Sequence, residues 1–244
     1  MDELNFTGRT VCVVGGSSGI GNGIAQAFRG RGATVHVTGT CDAADYDAEQ
    51  GSDLSGLHYA RLDLLDPGAI EEFAPAFDRL DMLVLSQGTV LYGRQEFARE
   101  GWDRVMAVNL DSVMACAMRF RPMLAASRGS LITIGSIVAL NTSRGNPAYA
   151  ASKAAVHHLT ATLGEAWAGE GIRVNGIAPG LVSTKLTAVT MDHPRRSEAA
   201  IASIPLGRAG QPADIAGVAL FLASPLAAFV VGQTIVADGG MTLS

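Results

Sequence analysis

A tyrosine, a lysine and a serine are spaced so that they could carry acid–base chemistry. Tyr149 and Lys153 are four residues apart, and Ser136 lies thirteen residues before the tyrosine. A helix over 148–168 would place Tyr149 and Lys153 one turn apart on the same face. Because a nearby positive charge favours the phenolate, Lys153 is expected to lower the pKa of Tyr149 from its ordinary value of about 10. The phenol would then exchange a proton near neutral pH. A Tyr and a Lys with this spacing also occur on many helices without any catalytic role.

A second motif lies near the N-terminus, where a glycine-rich turn follows a short apolar run. Residues 10–14 have the pattern of a buried strand, and Gly15-Gly-Ser-Ser-Gly-Ile-Gly21 precedes a helical pattern. Glycines let the backbone approach an anion closely, and a helix N-terminus presents free amides and the positive end of its dipole. The turn is therefore predicted to cradle a pyrophosphate, with a simple tight turn as the alternative interpretation.

Strand-like apolar runs alternate with helical patterns along the chain. The predicted strands are 10–15, 33–38, 57–62, 81–86, 130–135, 172–177 and 232–237, and the predicted helices include 19–29, 69–77, 102–126, 148–168 and 212–223. This alternation predicts an α/β protein with a single-domain Rossmann fold, a doubly wound parallel sheet of about seven strands with helices on both faces. Right-handed crossovers would bring the strand ends that carry Gly15, Asp63, Gly88, Ser136 and Pro179 to one edge.

With these motifs in place, the chain resembles the short-chain dehydrogenase/reductase family, in particular its classical members of the 3-oxoacyl-acyl-carrier-protein reductase type. The glycine turn is similar to the family's T-G-x-x-x-G-x-G motif, with Val14 in place of the threonine. The catalytic tetrad of the family is matched in order and spacing by Asn109, Ser136, Tyr149 and Lys153. Two further segments resemble family signatures, Pro179-Gly180-Leu-Val-Ser-Thr184 and Asp238-Gly-Gly240.

The resemblance implies an oxidoreductase that transfers a hydride between a nicotinamide dinucleotide and a ketone or secondary alcohol. Tyr149 would be the general acid or base, and Ser136 would orient the substrate oxygen; two hydroxyls at that oxygen would act as an oxyanion hole does. By the resemblance, Lys153 also holds the nicotinamide ribose and Asn109 anchors a water that relays protons.

The resemblance also implies which residues bind the cofactor. Asp63 would recognise the adenine, while Thr184 and the backbone of Val182 would bind the carboxamide. The full expected set is Gly15, Ser17, Ser18, Gly19, Ile20, Gly21, Thr40, Asp63, Leu64, Gly88, Tyr149, Lys153, Pro179, Gly180, Val182 and Thr184.

The choice between NADP and NAD depends on the end of the second strand. An acidic residue there would bind the ribose hydroxyls and an arginine would bind a 2′-phosphate, but this chain has Gly39-Thr40. Thr40 could bond a 2′-phosphate for which Gly39 leaves room, whereas the charge of Asp42 would oppose it. Ser18 also argues against NADP, because some relatives that use NADPH have an arginine at this position. The balance leans slightly to NADP, with NAD left open.

Composition and charge narrow the possible partners. The chain of 244 residues has a formal net charge of -5 and no block of Lys and Arg, which argues against nucleic acid. It has no apolar run of eighteen residues and no signal-peptide pattern, so no membrane is expected and the cytoplasm is the predicted location. Only 17% of the residues are charged, which favours a homo-oligomer with shared apolar surface, and the family resemblance favours a tetramer. Cys12, Cys41 and Cys116 form no C-x-x-C pair, and no metal site is expected.

The segment 185–205 is expected to form a substrate lid over a small-molecule ketone or alcohol. An apolar cap would come from Leu186, Val189, Met191 and Ile201. Arg195 and Arg196 could meet an anionic group, but paired arginines beside a proline are more often solvated.

Two other functions compete with the dehydrogenase. One is a dinucleotide-binding regulator without turnover, which the intact Ser136, Tyr149 and Lys153 oppose. The other is an epimerase or dehydratase-type relative without net redox turnover. Both rank below a simple dehydrogenase because the short chain leaves no room for an added substrate domain.

Overall fold

Seven parallel strands form the centre of the structure, a computed structural model that describes residues 2–243. The strands are β1 (Thr10–Val14), β2 (Thr34–Gly39), β3 (His58–Arg61), β4 (Met82–Leu85), β5 (Ser130–Ile134), β6 (Arg173–Pro179) and β7 (Thr234–Ala237). Their order across the sheet is β3-β2-β1-β4-β5-β6-β7, and every neighbouring pair is parallel. The predicted doubly wound parallel sheet is confirmed, and its order reverses between β1 and β4, where such sheets open a crevice.

Eight α-helices surround the sheet in the described residues. They are α1 (Gly19–Gly30), α2 (Pro67–Glu72), α3 (Arg99–Met106), α4 (Ser112–Ser127), α5 (Pro147–Ala168), α6 (Ala188–Met191), α7 (Pro194–Ala202) and α8 (Pro212–Ala223). The first and last of them pack together on one face, where Phe28 and Ile215 belong to one apolar cluster. The opposite face is covered by α4 and α5, and there Phe120 and Leu163 belong to a second cluster.

The central strands are buried along their whole length and mainly apolar because both faces are covered. Every residue of β4 and β5 is buried, as expected for parallel strands between two helical layers. This double cover explains why continuous apolar runs, rather than alternating ones, located the strands in the sequence.

Two helix predictions were wrong in their bounds. The helix predicted over 69–77 begins at Pro67 and ends at Glu72, because Pro75 disfavours helical backbone at the residue before it and cannot donate its own backbone bond. The helix predicted over 102–126 is interrupted by a π-helical turn at Ala107–Asp111, which joins α3 to α4. That turn carries Asn109.

The predicted lid is helical, and the acidic stretch after β2 is a loop. Residues 185–205 contain α6 and α7, and the polar stretch 41–56 holds only two short 3₁₀ turns. Of the cysteines, Cys12 and Cys116 are buried and Cys41 is exposed. Within residues 2–243, no helix has both the length and the apolarity needed to cross a bilayer.

Candidate active site

The carboxyl ends of the strands border a crevice of about 370 Å³. It is lined by Ser136 and by fifteen of the residues predicted to bind the cofactor, namely Gly15, Ser17, Ser18, Gly19, Ile20, Gly21, Thr40, Leu64, Gly88, Tyr149, Lys153, Pro179, Gly180, Val182 and Thr184. Asp63 and Asn109 are not part of this lining. The fold therefore gathers most of the predicted residues at one edge of the sheet.

The glycine turn between β1 and α1 has no space for a side chain at Gly15 or at Gly21. Gly15 has a φ of 73°, and a Cβ there would lie 2.9 Å from the backbone of Gln87. A Cβ on Gly21 would overlap the carbonyl oxygen of Gly15. Ser18 precedes α1 and its side chain makes no capping bond. A backbone packed this tightly against a helix N-terminus fits a dinucleotide pyrophosphate.

Helix α5 carries both Tyr149 and Lys153, as predicted. Lys153 is 4% exposed, and its Nζ donates to the carbonyl oxygen of Ile134 at 2.8 Å. Nζ lies 5.8 Å from the centroid of the Tyr149 ring. A Cβ on Gly88 would lie 3.4 Å from that nitrogen, so the end of β4, the end of β5 and α5 meet at the lysine.

The expectation that Lys153 makes Tyr149 acidic was wrong for this structure. Burial raises the pKa of the Tyr149 phenol above its ordinary value; a hydrogen bond with Ser136 opposes the rise, and negative charge at Tyr92 and Glu96 adds to it. Burial also lowers the pKa of Lys153 to about 8. The lysine is itself desolvated and bonded to a carbonyl, which limits its ability to stabilise a phenolate.

Ser136 is held at the end of β5 by its own turn and by a histidine. It is 8% exposed, and its Oγ accepts from the amide of Val138 at 3.3 Å. Its backbone amide donates to Nε2 of His157 at 3.4 Å. Since Nε2 accepts, the neutral ring carries its proton on Nδ1. Burial and then the charge of Lys153 lower the pKa of His157, which favours that neutral form.

Asn109 is fully buried and ties the segment after β4 to α5. Its Oδ1 accepts from the amide of Thr89 at 2.7 Å, and its Nδ2 donates to the carbonyl of Thr89 at 2.9 Å and to Oγ of Ser152 at 3.1 Å. The side chain is thus engaged by protein groups, and its role as a water anchor stays a prediction.

The adenosine end of the crevice differs from the prediction. A Cβ on Gly39 would overlap the hydroxyl of Tyr46, which accepts from the amides of Thr40 at 3.1 Å and Cys41 at 3.2 Å. The idea that Gly39 leaves room for a phosphate was wrong, because Tyr46 fills that space. Asp63 is exposed beside the lining residues, and its Oδ1 accepts from the amide of Leu65 at 3.0 Å.

A cation that the sequence reading missed lies at this end. Arg61 pairs with Gly39 in the register of β2 and β3. Its Nη1 lies 3.3 Å from Oδ1 of Asp42, with both side chains exposed. The pair partly compensates the charge of Asp42. Only the pairing of β3 with β2 brings this arginine beside Gly39, so no local motif could have found it.

The segment 185–205, whose role as a lid stays a prediction, borders the crevice through Lys185 and Leu186. The hydroxyl of Tyr92 donates to the carbonyl of Leu186 at 2.9 Å, and Nζ of Lys185 lies 3.5 Å from Oγ of Ser52. Arg195 and Arg196 are exposed on α7, in agreement with the solvated alternative. No cluster of three or more metal-ligating side chains occurs within the part of the chain that the structure describes.

Comparisons with known proteins agree with the geometry. A family model described as enoyl-(acyl carrier protein) reductase matches residues 14–242. The chain is 37% identical to a 3-oxoacyl-acyl-carrier-protein reductase, FabG, of Chlamydia pneumoniae, over 98% of this chain and 99% of that protein. It is 36% identical to a 2-dehydro-3-deoxy-D-gluconate 5-dehydrogenase of Bacillus subtilis, over 98% of this chain and 96% of that one. The structure of a Pseudomonas aeruginosa RhlG/NADP active-site complex superposes with a TM-score of 0.90 at 33% identity, covering 99% of both chains.

Proposed function

The chain belongs to the short-chain dehydrogenase/reductase family, and we propose that Tyr149, Ser136, Lys153 and Asn109 form its catalytic centre and that NADP(H) is its preferred cofactor. As a member of this family it is an NAD(P)-dependent oxidoreductase acting on carbonyl or alcohol groups. One observation carries the assignment of the centre: Tyr149, Ser136 and Lys153 line the same crevice as the glycine turn of Gly15 to Gly21.

The proposed reaction divides the work between cofactor and protein. The nicotinamide supplies or accepts the hydride. Tyr149 gives a proton to the carbonyl oxygen during reduction and takes one from the alcohol during oxidation. Its raised pKa keeps the phenol protonated at neutral pH, which suits it to act as the acid in ketone reduction. Ser136 lines the same crevice and opposes the rise in the pKa of this phenol, and the two hydroxyls together would stabilise the negative charge that develops on one substrate oxygen.

Lys153 and Asn109 support this proton transfer. The lysine amine lies at the junction of β4, β5 and α5, where it could bond the nicotinamide ribose and exchange protons with Tyr149. Because its pKa is about 8, the amine gains and loses a proton near physiological pH. Asn109 fixes the backbone of Thr89 beside Gly88 and so shapes the wall that the ribose would meet.

Preference for NADP is supported at the ribose end. Arg61 is a cation beside Gly39, and Thr40 lines the crevice there with a hydroxyl that has a weak contact to Sγ of Cys41 at 3.9 Å and could turn to a phosphate. The charge of Asp42, which would repel a phosphate, is partly compensated by Arg61. Arg61 would therefore do the work that a residue at the end of β2 does in other dinucleotide folds.

We also propose that the chain is a single domain that assembles as a homo-oligomer, with a tetramer favoured, in the cytoplasm. Apolar side chains are exposed on α4, where Met114 is 37% and Met118 45% exposed, and Phe229 is fully exposed near the edge strand β7. Burying such side chains against a second copy would be favourable.

The test is ketone-dependent oxidation of NADPH and NADH measured side by side. The panel should contain 3-oxoacyl thioesters, keto sugar acids and simple ketones, with the matching alcohols for the reverse direction. We expect net turnover, with a higher kcat/KM for NADPH. Binding without turnover would support a regulator, and substrate conversion without net NAD(P)H consumption would support an epimerase or dehydratase.

A further inference from the structure

Glu96 is a buried carboxylate close to the catalytic tyrosine. The residue is 1% exposed, and none of the ion pairs found within residues 2–243 includes it. An ionised carboxylate is expensive to bury unless several donors replace its water. The buried carboxylate of Glu96 therefore needs hydrogen-bond donors from parts of the chain that only folding brings together.

Three donors from two distant segments meet this carboxylate. Oε1 accepts from the amide of Leu91 at 3.0 Å and from Nδ2 of Asn146 at 3.2 Å. Oε2 accepts from the amide of Tyr149 itself at 2.9 Å. Asn146 also donates to the carbonyl of Leu91 at 2.9 Å. One side chain thus joins the segment after β4 to the first turn of α5.

The first turn of α5 needs such a partner. Its amides have no acceptor within the helix, and Asn146, which precedes the helix, makes no capping bond with its side chain. A negative charge at a helix N-terminus is also favoured by the helix dipole. Glu96 thus acts as a cap supplied from another part of the chain, on the very residue that carries the phenol.

We propose that Glu96 is a positioning residue for the proposed reaction, which fixes the backbone of Tyr149 so that the phenol is held beside Ser136. The proposal rests on the proposed function of Tyr149. Only a carboxylate with this reach can serve all three donors, because a Gln side chain has one accepting oxygen and would turn an NH₂ group toward a donor. An Asp side chain keeps the charge but is one methylene shorter.

The charge of Glu96 gives the proposal a readout that packing alone would not move. Its negative charge contributes to the raised pKa of Tyr149, so removing the charge should ease loss of the phenolic proton. The other ionisable groups around the phenol are Tyr92 on the same segment as Glu96 and Lys153 on α5, with His157 behind Ser136. The charged side chains of α3, which packs on α5, are all exposed: Arg99, Glu100, Asp103 and Arg104.

The experiment compares Glu96→Gln, Glu96→Asp and the exposed control Glu100→Gln in the full chain. Each variant is assayed for kcat and KM in both directions, for NADPH affinity by fluorescence, and for the pH profile of alcohol oxidation, where the base form of Tyr149 is required. We expect Glu96→Gln to lower kcat by about tenfold or more and to move the midpoint of the oxidation profile down by roughly half a pH unit or more. NADPH affinity should change by less than about threefold, because Glu96 does not line the crevice.

Glu96→Asp separates the charge from the geometry and remains informative if the Gln variant does not fold. It should lower kcat by about tenfold while its pH midpoint stays at the wild-type value. Wild-type kcat and pH midpoint in Glu96→Gln, or wild-type kcat in Glu96→Asp, would overturn the proposal. If the wild type is active and Tyr149→Phe is equally active, the proposed function has failed instead.

Discussion

The ammonium nitrogen of Lys153 lies 5.8 Å from the centroid of the Tyr149 ring and is bonded to the carbonyl oxygen of Ile134. The lysine is therefore held by the end of β5, and its burial opposes the charge that it carries. Catalysis and stability should place opposite demands on this residue.

Replacing Lys153 by Met should stabilise the protein at neutral pH and abolish turnover. Burial lowers the pKa of Lys153 from 10.5 to about 8, so below pH 8 the folded chain holds an ammonium that the unfolded chain would hydrate. Between pH 8 and 10.5 the unfolded chain binds more protons, and the stability of the wild type should rise with pH over that window. Lys153→Met removes this penalty of about 3 kcal/mol but leaves the buried carbonyl of Ile134 without its donor. We therefore expect it to raise the free energy of unfolding at pH 7 by about 1–2 kcal/mol, or Tm by about 2–8 °C.

The measurement is Tm against pH, with Lys185→Met as the matched control. Lys185 is the other lysine of the chain and is exposed, so its replacement should leave the pH dependence unchanged. A Lys153→Met variant with the wild-type Tm at pH 7 and the wild-type slope above pH 8 would show that the buried amine costs nothing.

Adding a methyl group to Gly21 should weaken cofactor binding or destabilise the turn. Its Cβ would overlap the carbonyl oxygen of Gly15, and the turn could accept it only by moving the amides that we propose bind the pyrophosphate. Gly21→Ala should lower NADPH affinity by about tenfold or more or lower Tm clearly. Gly30→Ala on the same helix is the control, because a Cβ there meets nothing within 4 Å, and it should be neutral or slightly stabilising. Equal NADPH affinity in both variants would contradict the proposed cradle.

Arg61 should discriminate between the two cofactors. Removing its charge with Arg61→Gln should weaken NADPH binding by about threefold to tenfold, and less at high salt, because the pair with Asp42 is exposed. NADH affinity should hardly change, since NADH has no 2′-phosphate. The control Arg31→Gln removes another exposed arginine, which pairs with Asp2. If both cofactors lose affinity equally, Arg61 does not read the phosphate.

Tyr92 should hold the predicted lid over 185–205 without taking part in the chemistry. Its hydroxyl donates to the carbonyl of Leu186 at 2.9 Å, and the ring is 40% exposed, so the bond is worth little more than about 1 kcal/mol. Tyr92→Phe should therefore raise KM by about threefold to tenfold while kcat changes by less than about twofold. A fall in kcat with an unchanged KM would mean that Tyr92 acts in the reaction rather than on the lid.

The centre of the sheet could be predicted from the sequence because β1, β4 and β5 are mainly apolar runs that are buried under helices on both faces. The ends and interruptions of the helices were harder to predict from the sequence. Pro75 gave a usable signal for the early end of α2, whereas nothing local marks the π-helical turn at Asn109. That turn is fixed by bonds to Thr89 and Ser152, which lie 20 and 43 residues away.

For the candidate active site, the sequence motifs predicted which residues lie there but not how deeply those residues are buried or what they contact. Spacing put Lys153 beside Tyr149 correctly, yet the direction of the pKa shift depends on burial, which the spacing does not contain. The sequence did not indicate a role for Glu96, because its partners Asn146 and Tyr149 are 50 and 53 residues away. Tyr46 likewise fills the space at Gly39 from a loop with no regular pattern.

The most direct test of the central claim is the turnover of Tyr149→Phe with saturating NADPH and the best ketone of the panel. We expect kcat to fall by about a hundredfold or more, with NADPH affinity within about threefold of the wild type, because only the proton donor is lost. Tyr59→Phe, which removes a hydroxyl bonded to the carbonyl of Cys41, should keep its kcat. Undiminished turnover in Tyr149→Phe would show that Tyr149 is not the proton donor.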